Sequence, residues 1–312
     1  MNLNPSTAAE LAQALAQAGA RKEKIGRIEL GALNKVVEHT AEDMTVTVES
    51  GITLAALQES LAERRQWLPI DPPNAEQWTL SQIIDANASG PRRFGCGTIR
   101  DYVIGMKIAM ADGNVISSGG KVVKNVAGYD LMKLFIGGHG SLGLVVEATF
   151  KLRPLPESEQ FVQARCESLE QADRLIEAII KSPLTPVVLD LHQLADKQPA
   201  TVVLGFAGTR EEVEWQLVKA GELGFKEASS LEYEMKFWHG PVASMQRLSV
   251  LPSKLVETIR GLNGAGFVAR AGNGIIYHRG AGTPRKDKLP LDLMRRVKDA
   301  YDPNHVLPEL PL

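Results

Sequence analysis

The residue types that could do chemistry are concentrated in the stretch Asn87–Asp101. It combines small side chains, amide donors and three arginines. Small side chains leave backbone N–H groups exposed in a concave nest, and nearby arginines favour a phosphate-bearing ligand. Glycine-rich loops are also common connectors, so a buried turn with solvated arginines explains the same composition. The residue types alone therefore leave a phosphate site and a structural turn as open alternatives.

A second glycine-rich segment, Gly138–Gly143, matches the pattern G-x-G-x-x-G. In a dinucleotide-binding fold a strand precedes this pattern and a helix follows it, because the helix N-terminus holds the pyrophosphate. Here the order is reversed, since the sequence predicts a helix over Tyr129–Ile136 and a strand over Leu144–Leu152. The pattern argues against a nicotinamide-binding site and favours a tight loop that another group can approach closely.

The sequence lacks the motifs of several other kinds of site. The six histidines lack the paired spacing typical of metal ligands, which predicts no metal site. No G-x-S-x-G elbow and no GxxxxGK[ST] phosphate loop is present. Cys96 and Cys166 also lack ligand spacing, and Cys96 is interpreted as a small buried hydrophobe in a reducing compartment.

Length and composition indicate a soluble protein of two domains. The chain has 312 residues, of which 44% are hydrophobic, and domains typically span about 100–200 residues. With 35 basic and 37 acidic residues, its surface provides no field that would attract nucleic acid. No stretch approaches the roughly 18 apolar residues of a spanning helix, and Met1–Leu15 does not resemble a signal peptide. We expect a cytoplasmic protein without a transmembrane segment.

Helices and strands must position these stretches, and the first half of the sequence predicts several. Thr7 and Glu10 form a capping-box pattern, and Gly19 occupies a position typical of a helix C-terminus. Asp112-Gly113 is the strongest hairpin signal in the chain. Besides the two elements given above, the predicted elements are the helix Ala8–Ala18, the strand Arg27–Leu30, a helical turn with Leu33, Val36 and Val37 on one face, the strand Met44–Val48, the helix Leu54–Arg64 with Thr53 as N-cap, a short helix after Thr79, and the strands Val103–Ala111 and Asn114–Ser118.

The prolines of Arg153–Pro156 are the best domain boundary, because the pattern beyond them changes to a β-α-β-β-α-β alternation. This alternation predicts an open α+β sheet with helices on one face. Its predicted elements are the strands Phe161–Arg165, Val187–Leu191, Thr201–Phe206, Leu248–Leu251 and Gly274–Tyr277, and the helices Leu169–Ile180, Glu211–Gly221, Leu255–Leu262 and Leu291–Tyr301.

Taken together, the motifs resemble one family. Asn87–Asp101, Val122–Tyr129 and Gly143–Glu147 are similar to the FAD-binding subunit of bacterial glycolate oxidase, within the PCMH-type (vanillyl-alcohol oxidase-like) flavoproteins. The resemblance is close between Thr79 and Pro156 and continues into the second half of the chain, for example at Ala271–Tyr277.

This resemblance implies an α+β protein with three parts. Residues 1–155 would form a two-lobed PCMH-type FAD-binding domain, residues 156–285 an α+β (ferredoxin-like) cap domain, and residues 286–312 a C-terminal helix and tail. The positions that match cofactor-lining positions of the family are Asn87, Ala88, Ser89, Gly90, Gly97, Thr98, Asp101, Leu144 and Val145. Lys124, Asn125 and Tyr129 fall in a matching stretch, but packing at a helix entry explains them equally well, and no catalytic residue is assigned.

The resemblance also implies a function. Such a subunit binds FAD, oxidises a small 2-hydroxy acid, and passes electrons to a second flavin subunit and an iron–sulfur subunit. These partners could also bring the protein to the inner face of a membrane. No histidine matches a site of covalent flavin attachment, which predicts non-covalent FAD.

Three departures from the family pattern leave an alternative open. Ala18–Arg27 contains no glycine loop of the kind that holds the FAD pyrophosphate, Ser81-Gln82 stands where a twin glycine is expected, and Leu307–Leu310 replaces an Asn-Pro-Gly-type ending. The alternative is a non-catalytic structural subunit of such a complex that keeps the fold and has lost FAD binding.

Overall fold

The fold was analysed in a computed structural model, which describes residues 1–122, 130–196, 198–239, 245–280 and 290–310. The chain divides into two compact units. Unit 1 comprises Met1–Ser89, Thr98–Leu155 and Asp287–Leu312, and unit 2 comprises Gly90–Gly97 and Pro156–Lys286. Helices and antiparallel sheets occur in both units, which confirms the predicted α+β class.

Unit 1 is built around a five-stranded antiparallel sheet in the order β3-β4-β8-β6-β7. These strands are β3 (Val36–Thr40), β4 (Thr45–Glu49), β6 (Val103–Ala109), β7 (Val115–Gly119) and β8 (Leu144–Lys151). Short pairs of strands flank the sheet: β1 (Asn2–Leu3) with β2 (Arg27–Ile28), and β5 (Gln66–Trp67) with β9 (Arg153–Pro154).

Two apolar clusters cover the two faces of this sheet, because successive side chains of a strand point to opposite faces. In β8, Val145 joins one cluster, while Leu144 and Val146 join the other. The first cluster includes residues of α2 (Leu54–Ala62) and α3 (Leu80–Ala86), and the second includes residues of α1 (Ala8–Arg21). The remaining helices of unit 1 are α5 (Ile99–Tyr102), α6 (Met132–Phe135) and α11 (Leu291–Tyr301).

Two local predictions for unit 1 are confirmed, and each rests on residues at a turn or at a helix cap. β6 and β7 pair as a hairpin through Asp112-Gly113, where Gly113 has the positive φ of +85° that the turn needs. α2 begins after Thr53, whose hydroxyl accepts from the N–H of Ala56, as expected of an N-cap.

Two predictions near the N-terminus are wrong. Leu33, Val36 and Val37 do not form a helical turn, because Val36–Thr40 pairs with β4 as the edge strand of the sheet. Their helical spacing cannot be told from an irregular strand entry over so few residues. Gly19 does not end α1, which continues to Arg21 and ends at Lys22 with a left-handed φ of 53°. The hydroxyl of Thr7 does cap α1, but the Glu10 carboxylate accepts from the N–H of Ser6.

Unit 2 contains a seven-stranded antiparallel sheet in the order β13-β10-β12-β11-β15-β16-β14. Its first four strands in chain order lie as β13-β10-β12-β11, which is the ferredoxin-like arrangement of a β-α-β-β-α-β unit. The strands are β10 (Ser158–Cys166), β11 (Val188–Gln193), β12 (Ala200–Gly208), β13 (Glu227–Ala228), β14 (Gln246–Ser249), β15 (Phe267–Arg270) and β16 (Ile275–His278), and the helices are α4 (Arg93–Cys96), α7 (Leu169–Lys181), α8 (Arg210–Glu222), α9 (Glu232–Trp238) and α10 (Leu255–Arg260).

The helices of unit 2 do not all lie on one face, which corrects the prediction. α7, α8 and α10 share an apolar cluster with Leu189 and Leu191 of β11. Tyr233 and Phe237 of α9 instead pack against Val203 and Val268, in a second cluster. α9 and β15 were not predicted. Among the described helices of the chain, none is long and apolar enough to span a bilayer.

Candidate functional site

The candidate site in unit 1 begins where α3 ends. Thr79 and Gln82 form a capping box at the start of this helix, with Gln82 Oε1 accepting from the Thr79 N–H at 3.0 Å. The helix ends at Asn87, which has a left-handed φ of 45°. Asparagine tolerates this conformation better than other side-chain-bearing residues, so the chain can turn sharply into the predicted small-residue loop.

The glycine-rich loop 137–143 is hydrogen-bonded to the C-terminal end of α3. The N–H of Gly137 donates to the carbonyl of Ile84 at 2.9 Å, and the N–H of His139 donates to the carbonyl of Asp85 at 3.0 Å. Asn87 lies beside this loop, since a Cβ added at Gly137 would lie 3.4 Å from its own Cβ. The backbone N–H groups of the loop therefore satisfy two carbonyls near the end of α3. This structural role agrees with the tight loop that the reversed order of the G-x-G-x-x-G pattern predicted.

These segments border a cavity of about 390 Å³. Its wall consists of Gly26, Arg27, Ile28, Glu29, Leu30, Gly31, Gln77, Thr79, Ser81, Gln82, Asp85, His139, Gly140, Leu144 and Pro308. Gly140 has a φ of +70°, and a Cβ there would meet the side chain of Leu144 at 3.2 Å. Glycine at this position therefore keeps the wall open as well as permitting the turn.

Two polar atoms at this end of α3 are buried without a hydrogen-bond partner in the described part of the chain: Asp85 Oδ1 and Asn87 Oδ1. An unsatisfied buried acceptor costs about 1–3 kcal/mol, so such atoms point to a ligand or water that would donate to them. The N–H of Gly140 donates to the Asp85 carboxyl, but burial outweighs this contact and raises the pKa of Asp85 to about 7. The sequence reading missed Asp85, because its type and spacing resemble an ordinary surface position of a short helix.

The predicted cofactor positions fall into separate groups. Leu144 lines the cavity, and Val145 is buried on the opposite face of β8, where its carbonyl accepts from the Ser50 hydroxyl. Asn87, Ala88 and Ser89 form the turn after α3, and Ser89 is buried. Gly90 and Gly97 belong to unit 2.

Thr98 and Asp101 interact with each other at the start of α5. Asp101 Oδ2 accepts from the Thr98 N–H at 2.8 Å and from the Thr98 hydroxyl at 3.1 Å. This capping box explains both residue types without a ligand. Lys124, Asn125 and Tyr129 lie outside the described residues.

A second polar cluster, in unit 2, was also missed by the sequence reading. Arg270 is 1% exposed, and its guanidinium donates two hydrogen bonds of 2.7 Å to the carboxylate of Glu234 and one to Asp190. The hydroxyl of Tyr233 donates to Asp190 at 2.6 Å, and the ring of His192 stacks on that of Tyr233 at 4.5 Å. Burial raises the pKa of Asp190 to about 7 and lowers that of His192 to about 4.

A sequence signal for this cluster did exist. Asp190 and His192 alternate with Leu189 and Leu191 in an otherwise apolar strand, which places both polar side chains on one face. Arg270, the partner of Asp190, is distant in sequence, so only the paired strands β11 and β15 bring it close. Within the described residues, no group of three or more histidines, cysteines or acidic residues is arranged to hold a metal ion.

Comparison with known proteins identifies what this chain is similar to. Residues 15–119 match the family described as FAD binding domain. Glycolate oxidase subunit GlcD of Bacillus subtilis is 35% identical over 172 residues, which is 55% of this chain and 36% of that protein. Glycolate oxidase subunit GlcE of Escherichia coli is 35% identical over 124 residues, and D-2-hydroxyglutarate dehydrogenase of Stutzerimonas stutzeri is 34% identical over 124 residues, covering 35% and 27% of those proteins.

The similarity to these relatives is partial in length, whereas the similarity to a solved structure extends over the chain. The chain matches only about a third of the length of the two glycolate oxidase subunits. A structure of alkyldihydroxyacetonephosphate synthase covers 98% of this chain with a TM-score of 0.77 at 14% sequence identity, and 75% of that protein is covered. At this identity the match establishes a shared fold.

Proposed function

Because the chain carries an FAD binding domain of the PCMH type, we propose that it is the FAD-binding component of an oxidoreductase that acts on a small 2-hydroxy acid. The predicted family resemblance and FAD as the cofactor are confirmed by the match over residues 15–119. The substrate class is a proposal, supported by the names of the relatives, which are glycolate oxidase subunits and dehydrogenases of D-lactate and D-2-hydroxyglutarate.

The observation that carries this proposal is the meeting of Asn87, the loop 137–140 and Leu144 in unit 1. His139, Gly140 and Leu144 line the cavity of about 390 Å³, and Asn87 lies beside Gly137 of the same loop. The stretches that contain them are those in which the sequence resembles flavoproteins. Asn87 Oδ1 is buried and lacks a donor among the described residues, which suits an acceptor for a ligand N–H or O–H. Gly140 leaves space that a Cβ would fill. These features fit FAD.

FAD, when bound, would accept the hydride of the α-carbon, which carries both electrons, while the hydroxyl proton of the 2-hydroxy acid would pass to solvent. The contribution of this chain is then to bind and orient the cofactor and to exclude water around it. Of the nine predicted positions, Leu144 lines the cavity, and Asn87, Ala88 and Ser89 form the turn after α3, so we propose that these four contribute to binding. For Thr98, Asp101 and Val145, and for Gly90 and Gly97 of unit 2, the assignment stays a prediction. We propose non-covalent binding, because no histidine matches an attachment position.

We further propose that the electrons pass to partner subunits, namely a second flavin subunit and an iron–sulfur subunit. Support comes from the names of two relatives, which are both subunits of glycolate oxidase. Co-purification of the tagged chain with a second flavoprotein and an iron–sulfur protein from its source cells is the expected result. Isolation of the chain alone, with full dye-linked activity, would contradict the proposal.

One observation favours the alternative of a structural subunit without FAD. Asp85 places a carboxyl group in the wall of the cavity, where its negative charge would oppose a phosphate-bearing ligand. The absence of a glycine loop in Ala18–Arg27 points the same way. Under this alternative the chain would keep the partner surface of the complex and contribute no redox group.

The absorption spectrum of the purified protein separates the two functions. A yellow protein, or a colourless one that FAD reconstitutes, supports the flavoprotein, and dye-linked oxidation of glycolate or D-lactate by the complex supports the substrate class. Release of the flavin on acid precipitation would support non-covalent binding. Failure of FAD to bind at any pH between 5.5 and 8 would favour the structural subunit.

A further inference from the structure

The carboxyl group of Asp85 is the least expected feature of the cavity in unit 1. Asp85 lies one residue before the end of α3 and forms part of the cavity wall. One carboxyl oxygen is within reach of the N–H of Gly140, and the other, Oδ1, is buried with no partner in the described part of the chain. A carboxylate in such surroundings is poorly compensated, so the neutral acid is favoured there.

No cation among the described wall residues offsets this carboxyl group. Arg27 and Glu29 also line the cavity, but they pair with each other at 2.8 Å and are largely exposed. His139 lines the cavity from the loop and is exposed. Lys298, which contacts the same loop at the Ser141 carbonyl, is paired with Asp302 at 2.6 Å.

We propose that FAD binding to this cavity is coupled to protonation of Asp85, whose neutral carboxyl group admits the negatively charged diphosphate and whose ionised form excludes it. This inference rests on the proposed function, because it takes FAD as the ligand of the cavity. The coupling also reconciles the cavity features that fit FAD with the Asp85 carboxyl group that would oppose it, because a site with an acid in its wall can bind an anion when that acid is neutral.

The direction of the effect follows from the charges. The diphosphate keeps its negative charge throughout the neutral pH range, so a nearby ionised carboxyl group would repel it, and burial strengthens that repulsion. The protonated acid has no charge, and its O–H can donate where Oδ1 has no partner. Burial raises the pKa of Asp85 to about 7, so both forms are populated near neutral pH. A bound diphosphate stabilises the protonated form, and binding above this pH therefore takes up a proton.

The test is the dissociation constant of FAD at pH 6, 7 and 8, for the wild-type chain and for Asp85→Asn. If only the form with protonated Asp85 binds FAD, the wild-type affinity falls about tenfold between pH 6 and pH 8, because the fraction of chains with protonated Asp85 falls by that factor. Asparagine keeps an acceptor for the Gly140 N–H and carries no charge. The affinity of Asp85→Asn for FAD should therefore change by less than about twofold between pH 6 and pH 8. Calorimetry in buffers of different ionisation enthalpy should show uptake of close to one proton at pH 8 by the wild type and of none by Asp85→Asn.

His139 is the control, because it is a second ionisable side chain in the wall of the same cavity. His139→Asn is suited to the left-handed φ of 51° at this position and removes the imidazole ring. We expect this variant to keep the wild-type pH dependence. A flat profile in His139→Asn, or an unchanged slope in Asp85→Asn, would overturn the coupling while FAD binding stands. If neither the wild type nor Asp85→Asn binds FAD at pH 6, the coupling and the proposed function both fail.

Discussion

At the scale of single residues, the site is defined by polar atoms that the fold buries without satisfying. Asn87 and Asp85 each leave a side-chain oxygen without a partner among the described residues, within two positions of each other. Native proteins keep few such atoms, because each costs about 1–3 kcal/mol. Asp85 lines the cavity, and Asn87 lies two residues further along the chain. This pair of atoms is therefore a stronger indication of a ligand than the composition of the surrounding loop.

Asn87 gives the first prediction. Asn87→Gly removes the unpartnered oxygen but keeps a residue that adopts the left-handed φ of 45° without strain. Loss of one hydrogen bond of about 1 kcal/mol corresponds to roughly five- to tenfold weaker FAD binding, with little change in the midpoint of urea unfolding. Asn87→Ala is the matched comparison, since it should weaken binding similarly and also destabilise the protein by about 1 kcal/mol through backbone strain. Equal FAD affinity in Asn87→Gly would remove Asn87 from the site.

Arg270 gives a prediction about stability in unit 2. Arg270→Met would leave Asp190 and Glu234 buried without their cation, which costs about 3–5 kcal/mol. The Asp190 pKa is already raised in the folded chain. A group with a raised folded pKa contributes to the free energy of unfolding at low pH, and this contribution is lost as the pH rises through the folded pKa. Without the cation that pKa rises further, so the deficit relative to the wild type should be larger at pH 8 than at pH 5.

Urea unfolding at the two pH values measures this deficit. Arg247→Met is the control, because Arg247 is exposed on β14 and its removal should cost less than about 0.5 kcal/mol. An equal loss of unfolding free energy in Arg270→Met at pH 5 and at pH 8 would contradict this prediction. It would mean that removing Arg270 does not raise the pKa of the buried carboxyl groups.

At the scale of elements, the C-terminal helix α11 supports the glycine-rich loop of unit 1. Lys298 of this helix is 3% exposed, and its ammonium group donates to the Ser141 carbonyl at 2.8 Å and to the Pro308 carbonyl at 3.0 Å. The carboxylate of Asp302 pairs with it at 2.6 Å and also accepts from the N–H of Leu307. One buried cation thus ties α11, the loop 137–143 and the tail together.

Lys298→Met should therefore act on both stability and binding. It removes the partner of the buried Asp302, at a cost of about 3–5 kcal/mol, and it releases the carbonyl of Ser141 next to the cavity wall. We expect a lower urea midpoint and weaker FAD binding at a temperature where the variant is still folded. Arg295→Met on the same helix is the control, since Arg295 is largely exposed and should affect neither property. Loss of stability with unchanged FAD affinity would limit α11 to a structural role.

The elements also show what the sequence could and could not predict. The hairpin at Asp112-Gly113 and the helix Leu291–Tyr301 were predicted closely, because a turn dipeptide and a strong helical periodicity are local signals. Leu33, Val36 and Val37 were wrongly predicted as a helical turn, because the pairing of Val36–Thr40 with β4 decides the conformation there. Asp85 and Arg270 escaped notice for the same reason, since their significance depends on burial and on partners elsewhere in the chain.

At the scale of the whole molecule, the organisation of the chain differs from the order of the sequence. The prolines of Arg153–Pro156 and the resemblance suggested boundaries near residues 155 and 285, and these boundaries remain predictions. In the structure, Gly90–Gly97 belongs to unit 2, although it lies within the sequence of unit 1. The N–H of Gly95 donates to the Val187 carbonyl at 3.1 Å, and Phe94 packs against Gly272, where a Cβ would meet its ring at 2.1 Å. The small-residue stretch that looked like one motif in the sequence therefore contributes to two units.

This division predicts which part of the molecule Phe94 stabilises. Phe94→Ala removes an aromatic ring from the apolar cluster of unit 2, and such truncations cost up to about 3–5 kcal/mol when the ring is well buried. Tryptophans report the two units separately, with Trp67 and Trp78 in unit 1 and Trp215 and Trp238 in unit 2. Replacing one pair by phenylalanine leaves fluorescence from the other unit.

With fluorescence from unit 2 alone, Phe94→Ala should lower the urea midpoint, whereas fluorescence from unit 1 alone should show a smaller shift. Leu57→Ala is the matched control, because Leu57 is fully buried in the core of unit 1 and should give the reverse pattern. A larger shift in the unit 1 signal for Phe94→Ala would place residues 90–97 with the FAD binding domain, as the order of the sequence suggests. Local unfolding energies thus decide, independently of any cofactor, to which unit this segment contributes its stability.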